Sequence, residues 1–138
     1  LGVSRTSKTP TGLYLANRGY KVANMPLVPN VPLQPEIDAL DNQSNGPLVV
    51  GLIASPERIV QVRRNRLLAL NERQETDYVD VDHVRDEMTA ARKLFLMKGW
   101  PMIDVSRRAI EETAAAILSL LSRRRAEGGL SLGGGNDF

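Results

Sequence analysis

Hydrophobic and polar positions change their period several times along the chain, and each change marks an element. Leu48 to Ala54 (LVVGLIA) is a continuous apolar run of a strand's length, which predicts a strand covered on both faces. Ser55, Pro56 and Glu57 follow as N-cap, first-turn proline and dipole-matched acid, so a helix is expected from Pro56 to about Leu70. The polar segment Asn71 to Val79 reads as a loop. Asp80 then caps a second helix whose apolar residues Val81, Val84, Met88, Ala91 and Phe95 keep helical spacing, with Gly99 as its stop. Pro101 to Val105 is a short strand. Arg108 to Arg125 is a last helix, with Ile110, Ala114, Ile117, Leu118 and Leu121 turned inward.

Upstream the pattern is shorter in period and richer in proline. Gly2 to Ser7 is a run of small and polar residues, and Lys8 to Arg18 reads as a helix with Pro10 in its first turn and Gly19 at its end. Tyr20 to Leu27 is expected to be a strand. Val28 to Pro35 carries three prolines and predicts an extended loop, followed by a helical turn over Glu36 to Leu40 and a polar loop over Asp41 to Gly46.

Strands alternating with amphipathic helices predict an α/β domain with a mostly parallel sheet flanked by helices. Residues 1–125 form that one domain, and residues 126–138, where Gly128 to Phe138 holds five glycines, are expected to be a flexible tail. The chain opens on Leu1-Gly2, so a strand leading into the loop at Gly2 is represented by Leu1 alone. That predicts a piece of a longer chain, with its first strand truncated and little activity of its own.

Composition narrows the partners. Eighteen basic residues against sixteen acidic ones leave a net charge of +2, too balanced for a nucleic-acid footprint despite a pI near 9.2. No apolar run is long enough to span a bilayer and no signal-peptide pattern opens the chain. With no cysteine there is neither a disulfide framework nor a thiolate metal site. A cytoplasmic protein is expected, and pairing with another copy of the chain is left open.

Chemistry concentrates at the start. Gly2-Val3-Ser4-Arg5-Thr6-Ser7-Lys8-Thr9 matches the phosphate-loop pattern G-x-x-x-x-G-K-[ST], except that Ser7 replaces the second glycine. In such a loop successive backbone N–H groups curl around phosphate oxygens and the following helix adds its positive end. Lys8 would bring a full charge to the terminal phosphates of a bound nucleotide, and Thr9 a hydroxyl to Mg²⁺. The residues alone equally suit a polar turn ahead of an ordinary helix.

Two other places have the right residue types. On the helix from Pro56, the residues Ile59, Val62, Leu67 and Leu70 define an apolar face, and Arg63 and Arg66 fall within it. Inward arginines need anions, either a polyphosphate or carboxylates such as Asp104 or Glu112; snorkelling to solvent is the third possibility. Asp104 ends a strand, where ligands gather in open parallel sheets, and suits Mg²⁺, water or a substrate hydroxyl. It suits a helix cap or a partner for Arg107 or Arg108 just as well. His83 is given no role.

The opening motif Gly2 to Thr9, continued by Pro10-Thr11 and Tyr14-Leu15-Ala16, resembles the pyruvate, phosphate/water dikinase regulatory proteins. So do Pro26-Leu27-Val28-Pro29, Gly51-Leu52, Pro56-Glu57-Arg58, Ile103-Asp104-Val105-Ser106 and Ile110-Glu111-Glu112-Thr113-Ala114. The likeness runs from Leu1 to about Leu121, and members of that family are longer, so the chain resembles their second half. In the family a serine stands where Ser7 stands; Ala109 differs from the serine expected before Ile110. The resemblance implies a bifunctional enzyme that moves a phosphoryl group from ADP to a threonine of the dikinase. It also implies removal of that group with inorganic phosphate, releasing pyrophosphate. Lys8, Thr9 and the backbone from Gly2 to Ser7 would hold ADP and Mg²⁺, with Arg63, Arg66 and Asp104 as further candidates. Leu15-Ala16-Asn17-Arg18-Gly19-Tyr20 and Ser55-Pro56-Glu57-Arg58 are more similar to the pyruvate, phosphate dikinase branch than to the phosphoenolpyruvate synthase branch. A small-molecule or nucleoside monophosphate kinase, and a non-catalytic docking module that senses nucleotide, are the competing readings.

Overall fold

The computed structural model describes residues 1–42, 46–70 and 76–131. Two parallel strands, β1 (Gly51–Ile53) and β2 (Met102–Asp104), pair Gly51 with Met102, Leu52 with Ile103 and Ile53 with Asp104. Leu1 and Gly2 extend this arrangement on the other side of β1. The Leu1 nitrogen donates to Val50 O at 2.9 Å and Leu52 N donates to Leu1 O at 2.7 Å. Gly2 in turn bridges Pro26 in parallel, with Leu27 N donating to Gly2 O at 2.8 Å. Four extended segments therefore lie side by side in the order 25–27, 1–2, β1, β2, all running the same way. The fold is α/β, as the alternating pattern predicts.

The elements around this sheet follow their sequence signals. α1 (Lys8–Ala16) ends where Gly19 takes φ 90°, with Gly19 N donating to Ala16 O and Tyr20 N to Leu15 O. That is a Schellman closure, available to glycine without strain. α2 (Pro35–Asp38) is the short turn expected there. In α3 (Pro56–Ala69), Ser55 Oγ accepts from Arg58 N at 3.3 Å. α5 (Val81–Lys98) begins at Asp80, whose carboxylate accepts from Asp82 N and His83 N, and ends at Gly99 with φ 68°. Its buried residues are Val84, Met88, Ala91 and Phe95, four of the five expected. Phe95 lies directly over β1, and a methyl group on Gly51 would overlap its ring. α5 packs on α3 and β1, while α6 (Ile110–Ser131) packs on α1. The core gathers Val3, Leu52, Ile53, Ile59, Phe95, Trp100 and Ile103.

Four expectations need correction or extension. Tyr20 to Leu27 is not a strand: only a single bridge at Pro26 forms, and Tyr20 and Val22 stay exposed. Pro26 also leaves the outer edge without a donor for further pairing. The segment 71–79, read as a loop, contains the helical turn α4 (Thr76–Val79), anchored by buried Val79; residues 71–75 lie outside the described residues. The face of α3 is also rotated from the one the apolar residues suggest. Ile59, Val60, Arg63 and Leu67 are buried, while Leu70 and Arg66 are exposed. Finally, α6 runs past Arg125 to Ser131, through Gly128 and Gly129. A helical glycine costs only about 1 kcal/mol relative to alanine, too little to force an end at Glu127. Residues 132–138 of the expected tail, and 43–45 of the loop at Asp41 to Gly46, lie outside the described residues.

Candidate functional site

The loop from Gly2 to Lys8 leaves the carboxyl end of the segment beside β1, where ligands collect in parallel sheets. Gly2 is there because nothing larger fits: a Cβ would overlap Thr6 Oγ1 and stand 3.0 Å from Leu52 O. Thr6 is fully buried, and its hydroxyl donates to Val3 O at 2.9 Å, tying the loop across its base. Arg5 and Ser7 take positive φ, 69° and 63°. Anion nests pair a left-handed residue with a right-handed neighbour so that successive N–H groups share one side, and two positive φ values two residues apart are compatible with that.

Ser7 stands at the N-cap of α1 but makes no side-chain capping bond. The first N–H groups of the helix, on Lys8 and Thr9, are thus left uncapped by it, and Pro10 has no N–H to satisfy. Lys8 folds back over the loop, its Nζ donating to Val3 O at 2.7 Å and standing 3.5 Å from Thr6 Oγ1. Burial, then the positive charges of Arg5 and Arg63, lower its pKa from 10.5 to about 8. A half-buried cation crowded by two others is short of negative charge. Thr9 is exposed on the first turn beside it.

Arg63 is brought to the loop, but its terminal nitrogens are already engaged. It is 1% exposed and makes a two-pronged pair with Glu87, Nη1 to Oε1 at 3.0 Å and Nη2 to Oε2 at 2.9 Å. Nη1 also donates to Tyr78 O at 3.0 Å and Nη2 to Ser4 O at 3.3 Å, with the guanidinium 4.6 Å from the centroid of the Tyr78 ring. All four terminal N–H groups have acceptors, which leaves Nε as the buried donor without one. The carboxylate partner is Glu87, not Asp104 or Glu112, because α3 packs against α5. Arg66 is exposed on α3, away from the buried arc that holds Arg63.

Asp104 sits at the exit of β2, with β1 between it and the loop's own strand segment. Its Oδ1 accepts from Ser106 N at 2.9 Å, and Ser106 Oγ accepts from Ser55 N at 2.8 Å. Hydrogen bonding from the Ser106 side chain holds its carboxyl below the usual range. In this arrangement Asp104 orders the turn after β2 and, through Ser106, the start of α3.

Two residues at the loop escaped the sequence reading. Tyr78 shares a 3.0 Å hydrogen bond between its hydroxyl and Ser4 Oγ, and Glu87 fixes Arg63. Neither belongs to a motif; an inward arginine announces that a carboxylate is needed without saying which one. Beside the loop opens a groove of about 1190 Å³, lined by Val3, Ser4, Arg63, Tyr78 and Glu87 and by the proline-rich segment after Pro26.

A family model described as kinase/pyrophosphorylase matches residues 1–118. The chain belongs to this family. Among curated relatives, it is 58% identical over 127 residues to a Caulobacter vibrioides protein named as a pyruvate, phosphate dikinase regulatory protein, covering 92% of this chain and 39% of that one. A Rhizorhabdus wittichii protein of the same name is 59% identical over 126 residues, 91% of this chain and 44% of its own length. One from Paramagnetospirillum magneticum is 49% identical over 130 residues, 94% and 40% of the two chains. The chain spans about two-fifths of the length of these relatives.

In this member of the kinase/pyrophosphorylase family the loop is compatible with a phosphate group. A constricted glycine, two left-handed residues, a helix start without a side-chain cap and a lysine held over the loop lie together there. Mg²⁺ is compatible too. Among the described residues no three His, Cys, Asp or Glu side chains cluster into a metal cage. Mg²⁺ is usually held by one or two protein groups plus water and substrate phosphates, and the exposed Thr9 hydroxyl would be one such group. Among the described residues, no helix is long and apolar enough to cross a membrane.

Proposed function

We propose that the chain is the nucleotide-binding part of an ADP-dependent protein threonine kinase that also acts as a phosphate-dependent, pyrophosphate-forming phosphorylase. Its protein substrate is pyruvate, phosphate dikinase or phosphoenolpyruvate synthase, with the former favoured by the relatives' names. The observation that carries this reading is Lys8, folded over a nest of left-handed residues at an uncapped helix start. In both directions a pair of phosphoryl groups has to be held beside positive charge, ADP in one and phosphate with the departing phosphoryl group in the other. One loop serves both.

The roles divide as follows. Backbone N–H groups from Val3 to Ser7 orient phosphate oxygens, and Lys8 swings from Val3 O to neutralise charge on the terminal phosphoryl group. Thr9 would hold Mg²⁺, which would supply electrostatic stabilisation of the transferring group. Arg63 acts by holding the loop, and Asp104 by ordering the neighbouring turn. The groove beside Ser4 gives room for a protein acceptor to approach.

Incubating purified dikinase and the full-length enzyme that contains this chain with β-labelled ADP, beside γ-labelled ATP, tests the reaction. The expected result is label on a dikinase threonine from ADP and none from ATP. Subsequent addition of inorganic phosphate should release the label as pyrophosphate. Labelling from ATP alone, or none from either, overturns the proposal.

A further inference from the structure

Two helices reach the phosphate loop at Ser4, and a third holds one of them in place. Ser4 O accepts from Arg63 Nη2 on α3 at 3.3 Å, and Ser4 Oγ shares a 3.0 Å hydrogen bond with the Tyr78 hydroxyl on α4. Glu87 on α5 completes the grip by fixing both terminal nitrogens of Arg63. Arg63 Nη1 then donates to Tyr78 O at 3.0 Å, and the guanidinium faces the Tyr78 ring, so neither partner of Ser4 moves without the other. We propose that Tyr78, Arg63 and Glu87 form a latch that positions the phosphate loop through Ser4, with Tyr78 a positioning residue for ADP.

The reason lies in peptide geometry. A trans peptide is planar, so its C=O and the next N–H point in opposite directions. Holding Ser4 O toward Arg63 therefore points the Arg5 N–H away from Arg63, along the opposite edge of the same peptide plane. Arg5 itself has φ 69°, a conformation that a non-glycine residue keeps only when its surroundings impose it. The latch is that surrounding structure: a buried two-pronged ion pair fixes Ser4 O and a hydroxyl fixes Ser4 Oγ. Ser4, Arg63, Tyr78 and Glu87 also line the groove, so the latch stands between the groove and the loop.

This inference rests on the phosphate-loop reading, and the experiment separates the two. Tyr78→Phe keeps the ring under Arg63 and removes only the hydroxyl. Calorimetric titration with ADP and Mg²⁺ is expected to show a Kd raised about three- to tenfold, the range for one lost hydrogen bond. Thermal unfolding should stay close to that of the parent. Ser4→Ala should raise Kd similarly, and Tyr78→Phe with Ser4→Ala should be no worse than either single change, since both remove one shared contact. Full additivity of the two changes, or unchanged ADP binding in Tyr78→Phe with or without lower thermal stability, overturns the latch. Lys8→Ala is the control. If it weakens ADP binding while Tyr78→Phe does not, the loop reading stands and the latch falls; if Lys8→Ala binds ADP as the parent does, both fall.

Discussion

At the scale of single residues, Lys8 links the loop's geometry to a measurable pH dependence. Its pKa of about 8 lies below the ordinary 10.5, chiefly through burial. An unfolded chain therefore carries the proton between about pH 8 and 10.5 where the folded chain has lost it, so this group favours folding increasingly as pH rises through that window. ADP binding is expected to run the other way, because phosphate at the proposed site would need the charged lysine. Affinity for ADP is expected to hold steady up to about pH 8 and then to fall roughly tenfold per unit as the proton is lost. Lys8→Ala should flatten that profile and weaken binding at pH 7 about ten- to a hundredfold, the value of a charged hydrogen bond. Titrations at stepped pH check this, and a parental profile in the mutant contradicts it. The lysine, the helix start and the loop were legible in sequence because their spacing is local. Ser7 shows why the second glycine of the general pattern exists: the position takes φ 63°, which costs a non-glycine residue about 1–2 kcal/mol. The Glu87 partner of Arg63 was not legible, since it depends on which helix packs against α3 and lies 24 residues away.

Elements with strong local signals came through, and those with weak ones did not. β1 has an unbroken apolar run, and α5 has both an aspartate cap and a glycine stop. Tyr20 to Leu27 had only apolar content, and the absence of a long partner leaves it at one bridge. The apolar residues of α3 do not mark its face at Arg66, because Val60, Arg63 and Leu67, rather than Leu70, are the buried residues of a helix that packs on α5. Packing of α5 over β1 gives a direct test of this layer. Gly51→Ala pushes a methyl group into the Phe95 ring, and overpacking of this kind costs about 1–3 kcal/mol in chemical denaturation. Adding Phe95→Leu should recover part of the loss. A Gly51→Ala protein as stable as the parent would mean that α5 does not lie on β1 as described.

For the whole molecule, the parallel order 25–27, 1–2, β1, β2 puts the loop at Val3 next to the turns at Ser55 and Ser106, all at the carboxyl ends of their segments. Alternation of strands and helices made that class of fold readable, while the order of the segments emerged only from long-range hydrogen bonds. The chain spans about two-fifths of its relatives' length, and the large apolar side chains of Leu13, Leu68, Leu96 and Met97 are exposed on three of its helices. In the proposed reading the backbone from Gly2 to Thr9 holds the phosphates of ADP. The most direct measurement follows the amide resonances of the ¹⁵N-labelled protein as ADP and Mg²⁺ are added. Saturable shifts are expected, largest at Val3 to Thr9, spreading to Arg63 and Tyr78, and lost in Lys8→Ala. Shifts that leave these amides untouched, or that gather only along the segment after Pro26, would overturn this reading.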